Sequence, residues 1–425
     1  MPFTTTAGWT RPAICSLTAI GLYAADAHDH ADHAAHGADA AGDTPDTPVL
    51  HEHHEHHAAT ADIWHHQLND DLAVRLIDLS AVLQLAVGGS NAHDDHDLEW
   101  SQSGAHDPDG DGFTFQQLEL GISGALDPLL RIEARMVVIE DGIELEEAYA
   151  VTTDLPHGLE LEAGLMHTEF GIHNPLHPHE FTHIDQPLVL GALLGPEGLA
   201  ELGLRARWQH QDVLPIRIDV SVQNADGERA EPFLGEGHDH DGEEEADHDE
   251  STRNIDQIED LLWSTRLVSS FGDDELNAAI GASLAMGPNK HDDHTLLWGA
   301  DLQLQGTLGN HGHWLWISEV IAADDGDGGE AWGLVTTAAY DPTEAWRLGL
   351  RIDYVARETH EAEADGDDHA PAEVWRIAPM IVWRPWADGM FRLQYNLSDP
   401  DEGDTIHSVW LGMELRLGKR HQHAH

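Results

Sequence analysis

From about residue 70 to residue 418 the chain repeats one pattern: segments of about ten residues in which apolar and polar side chains alternate, each closed by turn-forming residues. A period of two makes a β-strand with one greasy face and one wet face. In 346–357, Trp346, Leu348, Leu350, Ile352 and Tyr354 fall on one face, while Arg347, Gly349, Arg351, Asp353 and Arg357 fall on the other. The scheme recurs in 216–223, 298–308 and 391–398. Sixteen such segments can be counted, near 72–86, 114–125, 129–139, 143–154, 159–168, 200–209, 216–224, 261–271, 276–286, 295–307, 313–322, 331–340, 346–357, 373–384, 390–397 and 406–417. Helical periodicity is nearly absent, apart from a short stretch near 187–194.

The connections sharpen this reading because they alternate in length. Tight turns such as Asp127-Pro128, Gly272-Asp273-Asp274 and Asp341-Pro342-Thr343 take every second place, and longer acidic loops (87–113, 169–199, 225–260, 323–330, 358–372) take most of the others. Short turns on one side and long loops on the other are the pattern of outer-membrane barrels. A soluble sandwich or lipocalin-like barrel also alternates, with its apolar side turned inward. Three features favour the membrane version. Thirteen arginines (131, 135, 205, 207, 217, 266, 347, 351, 357, 376, 384, 392, 416) lie on the polar strand faces, while the loops are acidic. Trp314, Trp316, Trp332, Tyr340, Trp346, Trp383 and Trp386 sit toward strand ends, as interfacial aromatics do. The strands also follow one another without sheet-crossing connections. The expectation is an all-β chain, a transmembrane antiparallel up-and-down β-barrel of about 16 strands with a disordered His/Asp-rich N-terminal arm.

Composition narrows the partners. With 79 acids against 20 Lys plus Arg, a formal charge of −59, the chain lacks the basic face a nucleic-acid binder needs. Residues 1–27 read as a signal peptide: Arg11, the apolar run 13–23, then Ala25-Asp26-Ala27 as a cleavage triplet. Cys15 lies within it, so the mature chain carries no disulfide framework. No stretch reaches the roughly 18–20 consecutive apolar residues a membrane helix needs. Residues 28–66 are too polar to build a core and are read as the disordered arm. Residues 67–418 are the barrel, and 419–425 a His-rich tail.

One part of the chain carries a resemblance. The runs Phe115-Gln116-Gln117-Leu118-Glu119-Leu120, Ala125-Leu126-Asp127-Pro128 and Ile143-Glu144-Leu145-Glu146-Glu147-Ala148-Tyr149 resemble a poorly characterised group of Gram-negative outer-membrane proteins, often with His-rich arms. So do Gly164-Leu165, Phe170-Gly171, His173-Asn174-Pro175, His179 and Asp185-Gln186-Pro187. The group is similar in pattern to phosphate-selective porins and is sometimes labelled zinc-regulated. The resemblance is strongest over about 70–225. It implies a porin-like barrel and a connection to metal, and it supplies no site residues. The last strand departs from the pattern, ending Leu415-Arg416-Leu417 with no terminal Phe.

Candidate sites follow from the barrel. Sixteen strands enclose an aqueous lumen. Its expected lining is Arg131, Arg135, Arg205, Arg207, Arg217, Arg266, Arg347, Arg351, Arg376, Arg392 and Arg416, with Glu133, Glu144, Glu146, Glu160, Glu162, Asp219, Asp301 and Asp353. Asp78, Glu119 and Glu414 share that face. Opposed charges across a pore make a selectivity filter, or they simply pair along the wall. The connection 169–199, with Leu188, Val189, Leu190, Leu193 and Leu194, is the best candidate for a loop folded into the barrel, a surface loop being the alternative. It contains His179-Glu180-Phe181-Thr182-His183, a match to the zinc-protease pattern that needs both histidines on one helix face. A zinc-binding patch of His177, His179, His183 and Asp185 is the better reading. The arm offers eleven histidines, including His51, His53, His54, His56 and His57, as weak ligands for zinc or another divalent metal.

The function expected is an outer-membrane channel, not an enzyme, passing small hydrophilic solutes or ions passively and linked to divalent-metal (zinc) uptake or buffering. The alternative is a metal-binding or adhesive surface protein whose barrel is only an anchor. No cofactor is required, and weakly bound Zn2+ is the metal candidate. The implied partners are outer-membrane lipid, small solutes or metal ions and the barrel-assembly machinery. Nucleic acid is excluded, and a homotrimer is compatible with the sequence.

Overall fold

The computed structural model describes residues 65–69, 72–92, 97, 100–108, 110–140, 142–210, 215–235, 260–273, 275–309, 312–326, 329–357 and 371–418. The signal peptide, almost all of the arm and the tail lie outside the described residues. Strand β1 (His65–Asn69) precedes sixteen longer ones: β2 (Leu72–Ser90), β3 (Gly112–Asp127), β4 (Leu130–Val138), β5 (Ile143–Thr152), β6 (Leu159–His167), β7 (Ala200–His210), β8 (Ile216–Gln223) and β9 (Leu262–Gly272); then β10 (Leu276–Pro288), β11 (His294–Leu308), β12 (Gly312–Asp324), β13 (Glu330–Thr343), β14 (Trp346–Arg357), β15 (Glu373–Trp386), β16 (Gly389–Pro400) and β17 (Ile406–Gly418). Each of β2–β17 pairs antiparallel with its chain neighbours, and β17 pairs with β2, so this ring of strands has no free edge. The result is a closed antiparallel barrel of sixteen strands. Strand β1 pairs with the first residues of β2 and straddles the expected boundary at residue 67.

The greasy faces point outward. Leu348, Leu350, Ile377, Ile381, Leu393 and Leu411 are exposed, whereas Arg351, Asp353, Arg376 and Arg392 alternate with them and are buried. A soluble barrel inverts this arrangement, because water would meet the leucines. Two aromatic ladders bracket the apolar band. Trp332, Tyr354 and Trp375 contact one another at the long-loop end of β13–β15, and Trp346, Trp383 and Phe391 stack at the short-turn end. Tyr354 lies eight residues beyond Trp346 on β14, about 26 Å at ~3.3 Å per residue. With a strand tilt of roughly 40° that spans about 20 Å of membrane depth, close to the ~25 Å band of such barrels.

The inside is not empty. The α-helix α1 (Leu188–Leu194) buries Leu188, Val189, Leu190, Leu193 and Leu194. They pack on Leu297, Ile321, Val335, Val355 and Val374, inward-facing aliphatics of β11–β15. Apolar side chains on both the loop and the wall therefore hold a long connection inside the barrel, and the surface-loop alternative falls.

Candidate functional site

The connection between β6 and β7, residues 168–199, crosses the lumen. Its sequence suits irregular backbone. Pro175, Pro178 and Pro187 fix φ and remove N–H donors, so the segment cannot extend the ladder. Gly171 takes φ 64 and donates its N–H to Ser283 Oγ on β10 at 3.0 Å. Asn174 ties the loop's two ends, donating to the carbonyls of Thr168 and Leu199 and accepting from Leu199 N–H at 2.7 Å. Glu319 on β12 accepts from the backbone N–H groups of Ile172 and His173 and meets His173 Nδ1 at 2.5 Å.

One landing of the loop is histidine on carboxylate. His177 Nδ1 lies 2.9 Å from Glu146 and Nε2 3.0 Å from Glu147, while His179 Nδ1 lies 2.8 Å from Glu119. The two rings stack with centroids 5.9 Å apart. Arg135 pairs with Glu119 at 2.8 Å and Glu147 at 3.3 Å. Glu146 and Glu147 are consecutive, yet both are buried on the lumen side, because the β4–β5 register shifts between Arg135 and Met136. A bulge of this kind re-aims one side chain onto the opposite face. Burial alone would lower the His177 imidazole, but Glu119, Glu146 and Glu147 hold it well above the ordinary histidine range.

The other landing is carboxylate on donors. Asp185 accepts from Arg351 at 2.9 Å and Arg376 at 3.2 Å, and from the amides of Gln394 at 2.6 Å and Asn396 at 2.7 Å. It is fully buried, and after the cost of burial these donors draw its carboxyl down to about 2. His183 turns its Nε2 to the carbonyl of Ala378 on β15 at 3.0 Å, and burial, with Arg351 nearby, lowers its imidazole to about 3.

The proposed four-ligand zinc patch is therefore split. His177 and His179 stand on β3 and β5, whereas His183 and Asp185 are committed to β14–β16, and Asp185 has four donors in place of an ion. The zinc-protease match fails as well. Pro178–Glu180 is a single 3-10 turn, Glu180 caps the backbone N–H of His177 at 3.2 Å, and His183 lies beyond the turn. His51, His53, His54, His56 and His57 lie outside the described residues. Two members of the first landing escaped the sequence reading: Glu147, whose parity points outward until the bulge reverses it, and His167 at the last position of β6. A carboxylate pair followed by a small residue, Glu146-Glu147-Ala148, is a faint signal of that bulge.

The wall charges expected to line the pore sit on the inner face and are largely paired, along a strand or across to its neighbours. Arg131 meets Glu133, Arg205 meets Glu162, Arg266 meets Asp301, Arg347 meets Asp341, and both Arg392 and Arg416 meet Glu414. Glu169, at the start of the loop, gathers Arg205, Arg207 and Arg217, and Arg207 and Arg217 also share Asp219. Arg207 reaches Glu160 at 3.3 Å, and Arg351 bonds both Asp353 and Asp185. Glu144 is half-buried on the same face.

Among solved structures the chain is similar to outer-membrane proteins. It matches an anion-selective porin from Comamonas acidovorans with a TM-score of 0.52 at 9% identity, over 80% of this chain and 99% of that one. The outer membrane channel DcaP of Acinetobacter baumannii matches at 0.50 and 10% identity, over 81% and 97%. A trimer form of the outer membrane protein OmpT of Vibrio cholerae matches at 0.51 and 8% identity, over 80% and 99%. The fold is a closed barrel of the kind these outer-membrane proteins have. At such identities the likeness extends to architecture alone. In sequence, 172 residues are 32% identical to an uncharacterized protein of Aquifex aeolicus, covering 38% of this chain and only 36% of that protein. No family model matches the chain.

Proposed function

We propose that this barrel is a Gram-negative outer-membrane channel for passive diffusion of small hydrophilic solutes or ions, its bore set by the 168–199 loop. The observation that carries the reading is the combination of a lipid-facing apolar exterior with a charge-lined interior narrowed by an inward loop. A barrel needed only as an anchor has no use for that loop. Similarity to a channel and to an anion-selective porin supports the same reading, and a homotrimer is the assembly proposed with it. The His-rich arm would sit at the periplasmic mouth and hold divalent metal loosely. One observation favours the anchor reading as the second choice: Asp353, Arg376 and Glu319 are fully buried beneath the loop, so the bore at that level is narrow.

Conductance of the purified protein in planar bilayers separates the two. Discrete, ohmic steps are expected, and a silent protein that is correctly inserted supports the anchor. Orientation of the wall has its own check. Leu350→Arg should cost about 2–4 kcal/mol of barrel stability near the bilayer midplane, in urea unfolding from vesicles, and an unaltered midpoint would show that Leu350 does not meet lipid.

A further inference from the structure

We propose a divalent-metal site inside the barrel, formed by Glu147 of β5, His167 at the end of β6 and His177 of the inward loop, which clamps that loop to the wall. One ligand atom from each of the three lies within 4.8 Å of the other two, and Glu119, Glu146 and His177 meet the same condition beside them. His177 is common to both sets: its Nε2 faces Glu147 and its Nδ1 faces Glu146 at 2.9 Å, so Glu146 is placed to orient the ring from its other edge.

The independent observation is His167. It is 7% exposed, and neither ring nitrogen has a hydrogen-bond partner. A buried polar group without a partner is rare in folded proteins and asks for a cause. Its ring stands edge-on to that of His177, with centroids 5.3 Å apart. An ion between the two imidazoles and Glu147 would satisfy it. Charge points the same way, since Glu119, Glu146 and Glu147 converge here while, among the described residues, Arg135 is the one arginine salt-bridged to them. The donors are two nitrogens and carboxylate oxygen, with no sulfur. That set suits zinc, copper(II) or nickel, and it disfavours calcium and magnesium, which prefer oxygen alone. A small cavity lined by His106, Glu146, His167, Pro178, Phe181 and Arg229 adjoins the cluster. The site uses none of the arm histidines and shares only His177 with the split set His177, His179, His183 and Asp185, and it does not depend on whether the barrel conducts.

The test uses the full chain, purified and stripped with chelator, in wild-type, His167→Leu and Glu147→Gln forms. Zinc is titrated against a competing chromophoric chelator, and Co2+ is added separately to read its visible ligand-field bands. Wild type should show one tight site per chain above the weak background of the arm, with Co2+ bands of a low-coordinate nitrogen/oxygen site. His167→Leu should fold, because it removes a group with no hydrogen bond, and should bind zinc at least tenfold more weakly and lose the bands. Glu147→Gln should weaken binding comparably and serves if the leucine variant does not fold. Zinc should raise the thermal midpoint of wild type and leave that of His167→Leu unchanged. The proposal is overturned if wild type gives no such bands, or if the folded variants keep the tight site. An equal zinc shift in all three forms would overturn it too, and would assign the metal to the arm.

Discussion

The inward loop is held at two landings whose chemistry is reversed. At His177 and His179 the loop brings donors to a wall of carboxylates, and at Asp185 it brings a carboxylate to a wall of donors. The Asp185 landing is closed: four donors from three successive strands fill its two oxygens. The histidine landing is open, with three carboxylates, a single arginine among the described residues, and a His167 whose ring nitrogens have no hydrogen bond. Buried ion pairs specify position more than they stabilise. The closed landing therefore reads as a register pin for the loop, and the open one as a place where something can still bind.

The largest effect should come from the pin. Asp185→Ala leaves Arg351 and Arg376 buried without their shared acceptor, a loss of about 3–5 kcal/mol in the loop's attachment. Limited proteolysis should then cut within 168–199, and conductance should rise. Cleavage no faster than in wild type would mean that α1 and its aliphatic bed hold the loop without the pin. A smaller cost, about 1–3 kcal/mol, is expected for His177→Ala, which removes the donor shared by Glu146 and Glu147. Were His177→Ala the more damaging in the same assay, the ranking of the two landings would be inverted.

The smallest effect concerns Asp107, whose residue is only partly buried but whose carboxylate turns inward onto the N–H of Gln186 at 2.8 Å. Burial first, and Asp185 second, push its carboxyl up to about 7. A raised acid is favoured protonated in the fold. Its contribution is full below about pH 4 and is lost as pH rises through about 7. Thermal midpoints should therefore fall modestly between pH 5 and pH 8 in wild type, while Asp107→Asn should flatten that part of the profile. An unchanged slope in the variant would show that Asp107 does not set this pH dependence.

Much of this architecture is legible in the chain because alternation is a local property. Residues 346–357 show which side is greasy without knowledge of any neighbour, and the sixteen segments coincide with β2–β17 within a few residues. The inward loop was also legible as a candidate, since Leu188–Leu194 is too apolar for an acidic surface. Which face of a barrel meets lipid follows from the same alternation once the ring is known to close.

Three things were decided only by tertiary structure. Glu147 joins the lumen because a one-residue bulge against β4 reverses its parity, and parity read along a single strand cannot register a shift set by its partner. His183 and Asp185 part from His177 and His179, although all four fall within nine residues, because prolines and a 3-10 turn carry the backbone to different strands. His167 meets His177 only when the loop folds back over the strand it has just left. The sequence by itself determined a barrel with a greasy outside and a wet inside. Where charges converge within it was decided by ring closure, which brings residues distant along the chain within a few ångströms, and no periodicity encodes those distances.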